Sequence, residues 1–125
     1  MTTHRYLHAE LKEPSTSAVL VTNTSGGILS VAVWSITMVG QLLLASGATA
    51  VDTDIHIDID GIVVAKMNLV TNTAGVVSTN NYVHDAGGYQ FTLANGHTIT
   101  LNQGVPAGCF TRSSCSMAVD MVSGS

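Results

Sequence analysis

The residues with the most chemical capacity stand on alternate positions of one short segment: Asp54, His56, Asp58 and Asp60. At a rise of ~3.3 Å per residue, successive members on one face of an extended strand lie about 6.6 Å apart. His56 and Asp58 make an H-x-D pair, whose nitrogen and oxygen can converge on a divalent ion. A four-ligand set needs more, and only His84–Asp85 offers it, on condition that the fold brings it near. The plainer expectation is a solvent-facing, metal-free row. Serines and threonines are too plentiful for any Ser/His/Asp combination to stand out, and no Gly-x-Ser-x-Gly elbow occurs. The only glutamates, Glu10 and Glu13, lie near the N-terminus, so the facing carboxylates of glycoside hydrolysis are missing. Ser25–Gly26–Gly27 and Gly87–Gly88 lack the helix and lysine of a phosphate cradle. Asn23–Thr24–Ser25 fits a glycosylation sequon and reads as a turn. Cys109 and Cys115 are read as free thiols, a small disulfide loop being the alternative that Cα geometry decides. Trp34, Tyr82 and Tyr89 suit a carbohydrate-stacking platform, but Trp34 sits in the most apolar stretch, which favours core or interface packing. The expectation is no enzyme: no catalytic residue, no cofactor and no metal.

Composition narrows the class further. Of 125 residues, only 10% are charged and 46% are hydrophobic, with aromatics at 5%. That hydrophobic content suffices for a core and argues against intrinsic disorder. Four basic residues and a net charge of −4 cannot track a phosphate backbone, so nucleic acid is not an expected partner. A weakly charged surface self-associates unless an assembly covers part of it. Met1–Glu13 carries Arg5, Glu10, Lys12 and Glu13 without an apolar run, which is not the pattern of a secretory signal.

The elements that must position these residues read as β throughout. Residues 1–17 are expected to be an N-terminal arm that orders on a neighbouring subunit, fraying being the alternative; Tyr6, Leu7 and Leu11 fit one side of a short helix, but a turn or two alone is marginal in water, and a β-sandwich domain follows over 18–125. Ala18–Thr22 is a short strand and Asn23–Gly27 a turn. Ile28–Ala45 is apolar enough to raise a membrane helix, but its β-branched content and Gly40–Gln41 favour two buried strands joined there. Within Ile28–Val39, Leu29, Val31, Val33 and Val39 oppose Ile28, Trp34, Ile36 and Met38. A strand apolar on both faces is buried on both, which predicts an obligate homo-oligomer, a trimer being favoured. Asp54–Asp60 alternates strictly with Ile55, Ile57 and Ile59, and Asp60–Gly61 is a type I′ hairpin turn into Ile62–Thr71. Shorter strands follow at Tyr89–Leu93, His97–Leu101 and Ser116–Val122, with Asn95–Gly96 a second hairpin signal. The class is all-β, an antiparallel β-sandwich or jelly roll. An internal echo accompanies it: Leu20–Gly26 recurs as Leu69–Gly75, and Leu44–Thr49 as Leu93–Thr98, both at an offset of 49 (69 − 20 and 93 − 44).

The run from Val19 to Lys66 resembles the small β-sandwich structural proteins of tailed bacteriophages: capsid decoration (cement) subunits, head fibres and tail-tip proteins. The residues that carry the likeness are Val21-Thr-Asn-Thr-Ser-Gly26, the long Val/Ile strand after it, the Asp54–Ala65 hairpin, and a late strand, Met117–Gly124, ending in Ser-Gly. Asn80–Gly88 and the Cys109–Cys115 segment have no counterpart in that pattern. The resemblance implies a virion protein, assembled in the host cytoplasm, that works by binding neighbours such as the major capsid protein. Capsid decoration is the favoured subtype, a glycan-binding tail-tip module the second reading, and a bacterial surface β-domain the third.

Overall fold

The computed structural model describes residues 2–45 and 50–123. Eight strands follow one another: β1 (Thr2–Lys12), β2 (Ser17–Thr22), β3 (Leu29–Leu44), β4 (Val51–Ile59), β5 (Ile62–Thr71), β6 (Val77–Leu93), β7 (Thr98–Gln103) and β8 (Cys109–Ser123). They form two four-stranded sheets, β1-β8-β3-β6 and β2-β7-β4-β5, antiparallel throughout. Pairs β1·β8, β2·β7, β3·β6 and β4·β5 are nested, so the chain runs as one long folded-back ribbon rolled into a sandwich, a jelly-roll-like course. The all-β sandwich expected from sequence is the fold observed.

Alternation builds the core. Ile55, Ile57 and Ile59 of β4 meet Ile36, Met38 and Leu42 of β3 and Met117 and Val119 of β8 in one buried cluster. Gly40 lies on the core side of β3, where an added Cβ would stand 2.9 Å from Leu69 Cδ1 and 2.9 Å from Met67 Cε. The opposite sheet packs too closely there for a side chain. Asp60 (φ 52°) and Gly61 (φ 79°) turn β4 into β5 with the left-handed backbone of a type I′ turn.

Four expectations need correction. The sequence predicts an arm with a short helix over residues 1–17, yet Thr2–Lys12 is a strand paired to β8 along its whole length. Its alternation puts Leu7, Ala9 and Leu11 in the core, each leucine worth roughly 1.5–3 kcal/mol of burial. A lone turn or two of helix offers less. Second, β3 does not fold back at Gly40–Gln41 but runs through them. No helix among the described residues is long and apolar enough to cross a membrane. Third, the two faces of β3 are not both apolar. The register with β8 steps from Val33↔Val119 to Ser35↔Ala118, leaving Trp34 as an extra residue. This bulge reverses the alternation. Val31 and Val33 face the core before it, Ile36 and Met38 after it, while Trp34, Thr37, Val39 and Gln41 face outward. The uncovered set on which the trimer rested is therefore split between core and surface. Fourth, Asn95–Gly96 is not a hairpin turn, because it joins β6 of one sheet to β7 of the other.

The echo acquires a structural sense. Adding 49 to the bounds of β3 gives 78–93, nearly the span of β6 (Val77–Leu93), and β2-β3-β4 and β5-β6-β7 both cross from the second sheet to the first and back. Residues 46–49, which carry part of the match, lie outside the described residues, as does Gly124.

Candidate functional site

Three places gather polar or exposed apolar side chains, and their geometry separates them. On the outer face of the second sheet, the Asp54–Asp60 row is half-buried, as strand alternation predicts. His56 Nδ1 lies 3.0 Å from Asp54 Oδ1, and its Nε2 lies 3.8 Å from Asp58 Oδ1. Lys66 Nζ approaches Asp54 at 3.6 Å, and Asn102 Nδ2 donates to Asp58 Oδ2 at 3.2 Å. Asp60 sits at the turn, bound to His97, whose hydrogen bond holds its carboxyl below the usual range. The row is thus consumed in internal pairing. His84 and Asp85 belong to β6 in the other sheet and do not join it. Among the described residues, no group of three His, Cys, Asp or Glu is placed to hold a metal ion. Cys109 and Cys115 are free and buried on the same face of β8, six residues apart and so about 20 Å along the strand. Burial pushes the Cys115 thiol up to about 11.

The second place is the outer face of the first sheet. The bulge presents Trp34 against Gly88, where a Cβ would lie 2.9 Å from the ring. Trp34 Nε1 donates to Asp120 Oδ2 at 2.9 Å, and His4 Nδ1 meets Asp120 Oδ1 at 2.6 Å. These two bonds, His4 first, hold the Asp120 carboxyl below its ordinary range. Tyr6 stands edge-on to His4 and is 80% exposed, opposite the small Ala118. Tyr82 and Tyr89 are not part of this group. They pair with Met38 and Val33, whose side chains face the core, so the three aromatics do not form one platform.

The third place was not legible in the sequence: the open flank between β5 and β6. β6 ends the first sheet and β5 the second. Between them runs a groove of about 410 Å³ lined by Ile62, Val63, Val64, His84, Tyr89 and Phe91, among others. Tyr89 is 65% exposed here and Ile62 62%, while Val83, 81% exposed, stands on the outer face of the first sheet beside this edge. On the opposite flank β1 closes the core with the buried Leu7 and Leu11, whereas here the half-buried Val64, Tyr82, Ala86 and Phe91 pack against it and Asn80 Nδ2 donates across to Asn68 O at 2.9 Å. Charged side chains are few on this flank, and the arrangement suits association through apolar area and backbone pairing.

No protein-family model matches the chain, and no curated protein sequence matches it. Among solved structures, a chain of the cyanophage Pam1 capsid asymmetric unit is 16% identical, with 94% of this chain and 85% of that chain covered, at a TM-score of 0.43. The VP2 subviral particle of infectious bursal disease virus is 12% identical over 99% of this chain and 33% of that one, at 0.38. Disulfide-linked pili of Bacillus endospore appendages are 17% identical over 99% and 89%, at 0.31.

Proposed function

We propose that this protein is a structural subunit of a bacteriophage virion, of the capsid-decoration type, acting by self-association and by binding a neighbouring virion protein, without catalysis. The observation that carries the assembly part is the open β5–β6 flank, where Tyr89, Ile62 and Val63 stand in water beside an unpaired strand edge. Exposed apolar area of this kind marks interaction surfaces. The virion part is supported by the resemblance over Val19–Lys66, whose Asn23 turn is the most densely hydrogen-bonded loop residue of the fold. Gold-labelled antibody against this chain, imaged by negative stain on purified phage particles, tests it. Label spread over heads is expected, and particles without label refute the reading.

A glycan-binding tail-tip module is the second reading, favoured by the exposed Trp34 with Asp120 and Tyr6 beside it. It requires label at the tail tip, and quenching of Trp34 fluorescence by host glycans that is lost in Trp34→Ala.

A further inference from the structure

The two ends of the first sheet are protected very differently. β1 carries Arg5, Glu10 and Lys12, with Arg5 on the core-facing parity. Such charges on an edge strand discourage a second chain from pairing with it. β6 has no such device over its first nine residues. From Val77 to Asp85 the one acidic residue is the last, and there is no Lys, Arg or Pro. Its outward residues, Val77, Thr79, Asn81 and Val83, are neutral. At Ala86–Gly88 three residues of β6 stand against the single Trp34 of β3, and this bulge ends the regular stretch. A regular edge of about 30 Å, charged only at its last residue, is thereby left. The sequence echo adds an independent argument. β3, whose bounds map onto β6, is paired on both of its edges, by β6 and by β8, whereas β6 is paired on one.

We infer that two copies of this chain pair β6 with β6 in antiparallel fashion about a two-fold axis, over Val77–Asp85, joining their four-stranded sheets into one of eight strands. The inference rests on the assembly reading above and names its contact. An antiparallel pair needs the same alternation of donors and acceptors from both strands. A strand edge offers that match to itself, and a two-fold contact closes without growing into a filament. To use the whole regular stretch, the axis must pass at its midpoint, Asn81. Thr79 then faces Val83 of the second copy, and the two Asp85 carboxylates lie about eight residues apart, roughly 26 Å along the strands. In this register Tyr82 of each copy stands opposite Asn80 of the other, and His84, at the near end of the groove, stands opposite Ser78.

Sedimentation of the full chain tests this. The unmodified protein is expected as a dimer or an even multiple of it. The double variant Thr79→Lys, Val83→Lys sets like charges directly opposite each other and should weaken association at least tenfold. Thr79→Glu, Val83→Glu should do the same, and mixing the two should restore the original mass. Asn81→Cys should yield a disulfide-linked dimer under mild oxidation, the native Cys109 and Cys115 being buried. A monomer of the unmodified chain at micromolar concentration overturns both the assembly reading and this contact. An assembly that survives in both double variants, fails to recover on mixing, or gives no Asn81→Cys cross-link overturns the β6 pairing alone.

Discussion

Asn23 and Asn72 occupy the same place in the two copies of the Leu-Val-Thr-Asn-Thr-x-Gly echo, yet the structure gives them opposite weights. Asn23 is 1% exposed. Its Nδ2 donates to Leu93 O at 2.7 Å and Gly27 O at 2.8 Å, and its Oδ1 accepts from Ser25 N at 2.9 Å and Ser25 Oγ at 2.7 Å. Its backbone is bound as well, donating to His97 O and accepting from Gly96 N. Asn72 is exposed, and its side chain receives one bond, from Thr73 Oγ1 at 3.1 Å. In Asn23→Ala the buried Leu93 carbonyl loses a partner that water cannot replace, costing about 1–3 kcal/mol. The three partners nearer the surface regain water, and their net loss is about 0.5–1 kcal/mol each. The sum is about 2.5–6 kcal/mol, a large share of the ~5–15 kcal/mol of an ordinary domain. Asn72→Ala should stay within ~0.5 kcal/mol of the parent. Urea unfolding followed by Trp34 fluorescence measures both. With a slope near ~2 kcal/mol/M, Asn23→Ala should lower the midpoint by about 2 M. All variants must be compared at one protein concentration, since association makes apparent stability concentration-dependent. Equal effects from the two substitutions, or a loss under about 1 kcal/mol for Asn23→Ala, would refute the assignment of Asn23 as the lock between the 23–28 turn and the β6–β7 connection.

Three further outcomes are expected. Asp60 and Asp120 have folded-state pKa values below their unfolded ones, so their contribution is complete above the ordinary carboxylate range and is lost as pH falls through the folded values; thermal midpoints across an acid titration should fall below about pH 4, and Asp60→Asn with Asp120→Asn should flatten that limb while lowering stability at neutral pH. Cys115, buried and raised to about 11, should resist iodoacetamide near neutral pH and react fully once the chain is unfolded in urea, which mass spectrometry reads directly. Gly88→Ala adds a Cβ 2.9 Å from the Trp34 ring at φ +84°; it should cost about 1–3 kcal/mol and shift the Trp34 emission maximum, and an unchanged spectrum would show that the ring does not rest on Gly88.

Local alternation made much of the fold readable. Ile55, Ile57 and Ile59 against Asp54, His56 and Asp58 fixed β4 and its faces, and Asp-Gly fixed the turn after it, because both signals are complete within a few residues. β1 was misread because Leu7, Ala9 and Leu11 are separated by charged and polar residues, and what makes them core is β8, more than a hundred positions away. Only the last five residues of β6 carry a strand signal of their own, since Val77–Gly88 is half polar and becomes strand through pairing with β3 along its length. The apolar flank has no sequence signal for the same reason. Ile62, Val63, Tyr89 and Phe91 come from two strands in different sheets, and no spacing in the sequence places them side by side.

The bulge at Trp34 links these misreadings to the proposed function. A strand of sixteen residues with unbroken alternation would have put Val31, Val33 and Val39 on one face and Ile36 and Met38 on the other, leaving apolar side chains in water whichever face met the core. One extra residue at Trp34 lets both halves of β3 turn their apolar sides to the same core. β6 must accommodate that irregularity, and it does so with Ala86–Gly87–Gly88, both glycines at positive φ. The accommodation breaks β6 into a short C-terminal part and a regular nine-residue edge. A single inserted residue in the central strand thus settles three things at once. It makes the sheet one-sided, places the tryptophan on the outer surface over Gly88, and sets the length of edge that remains open to a partner. Deletion of Trp34 removes the extra residue and leaves Ile36 two positions after Val33, so plain alternation keeps Val31, Val33, Ile36 and Met38 on the core face and in their present register with Val119 and Met117 of β8. The expected result is a cooperatively folded variant without the bulge, and urea unfolding followed by circular dichroism that shows no cooperative transition would refute the reading of Trp34 as the inserted residue.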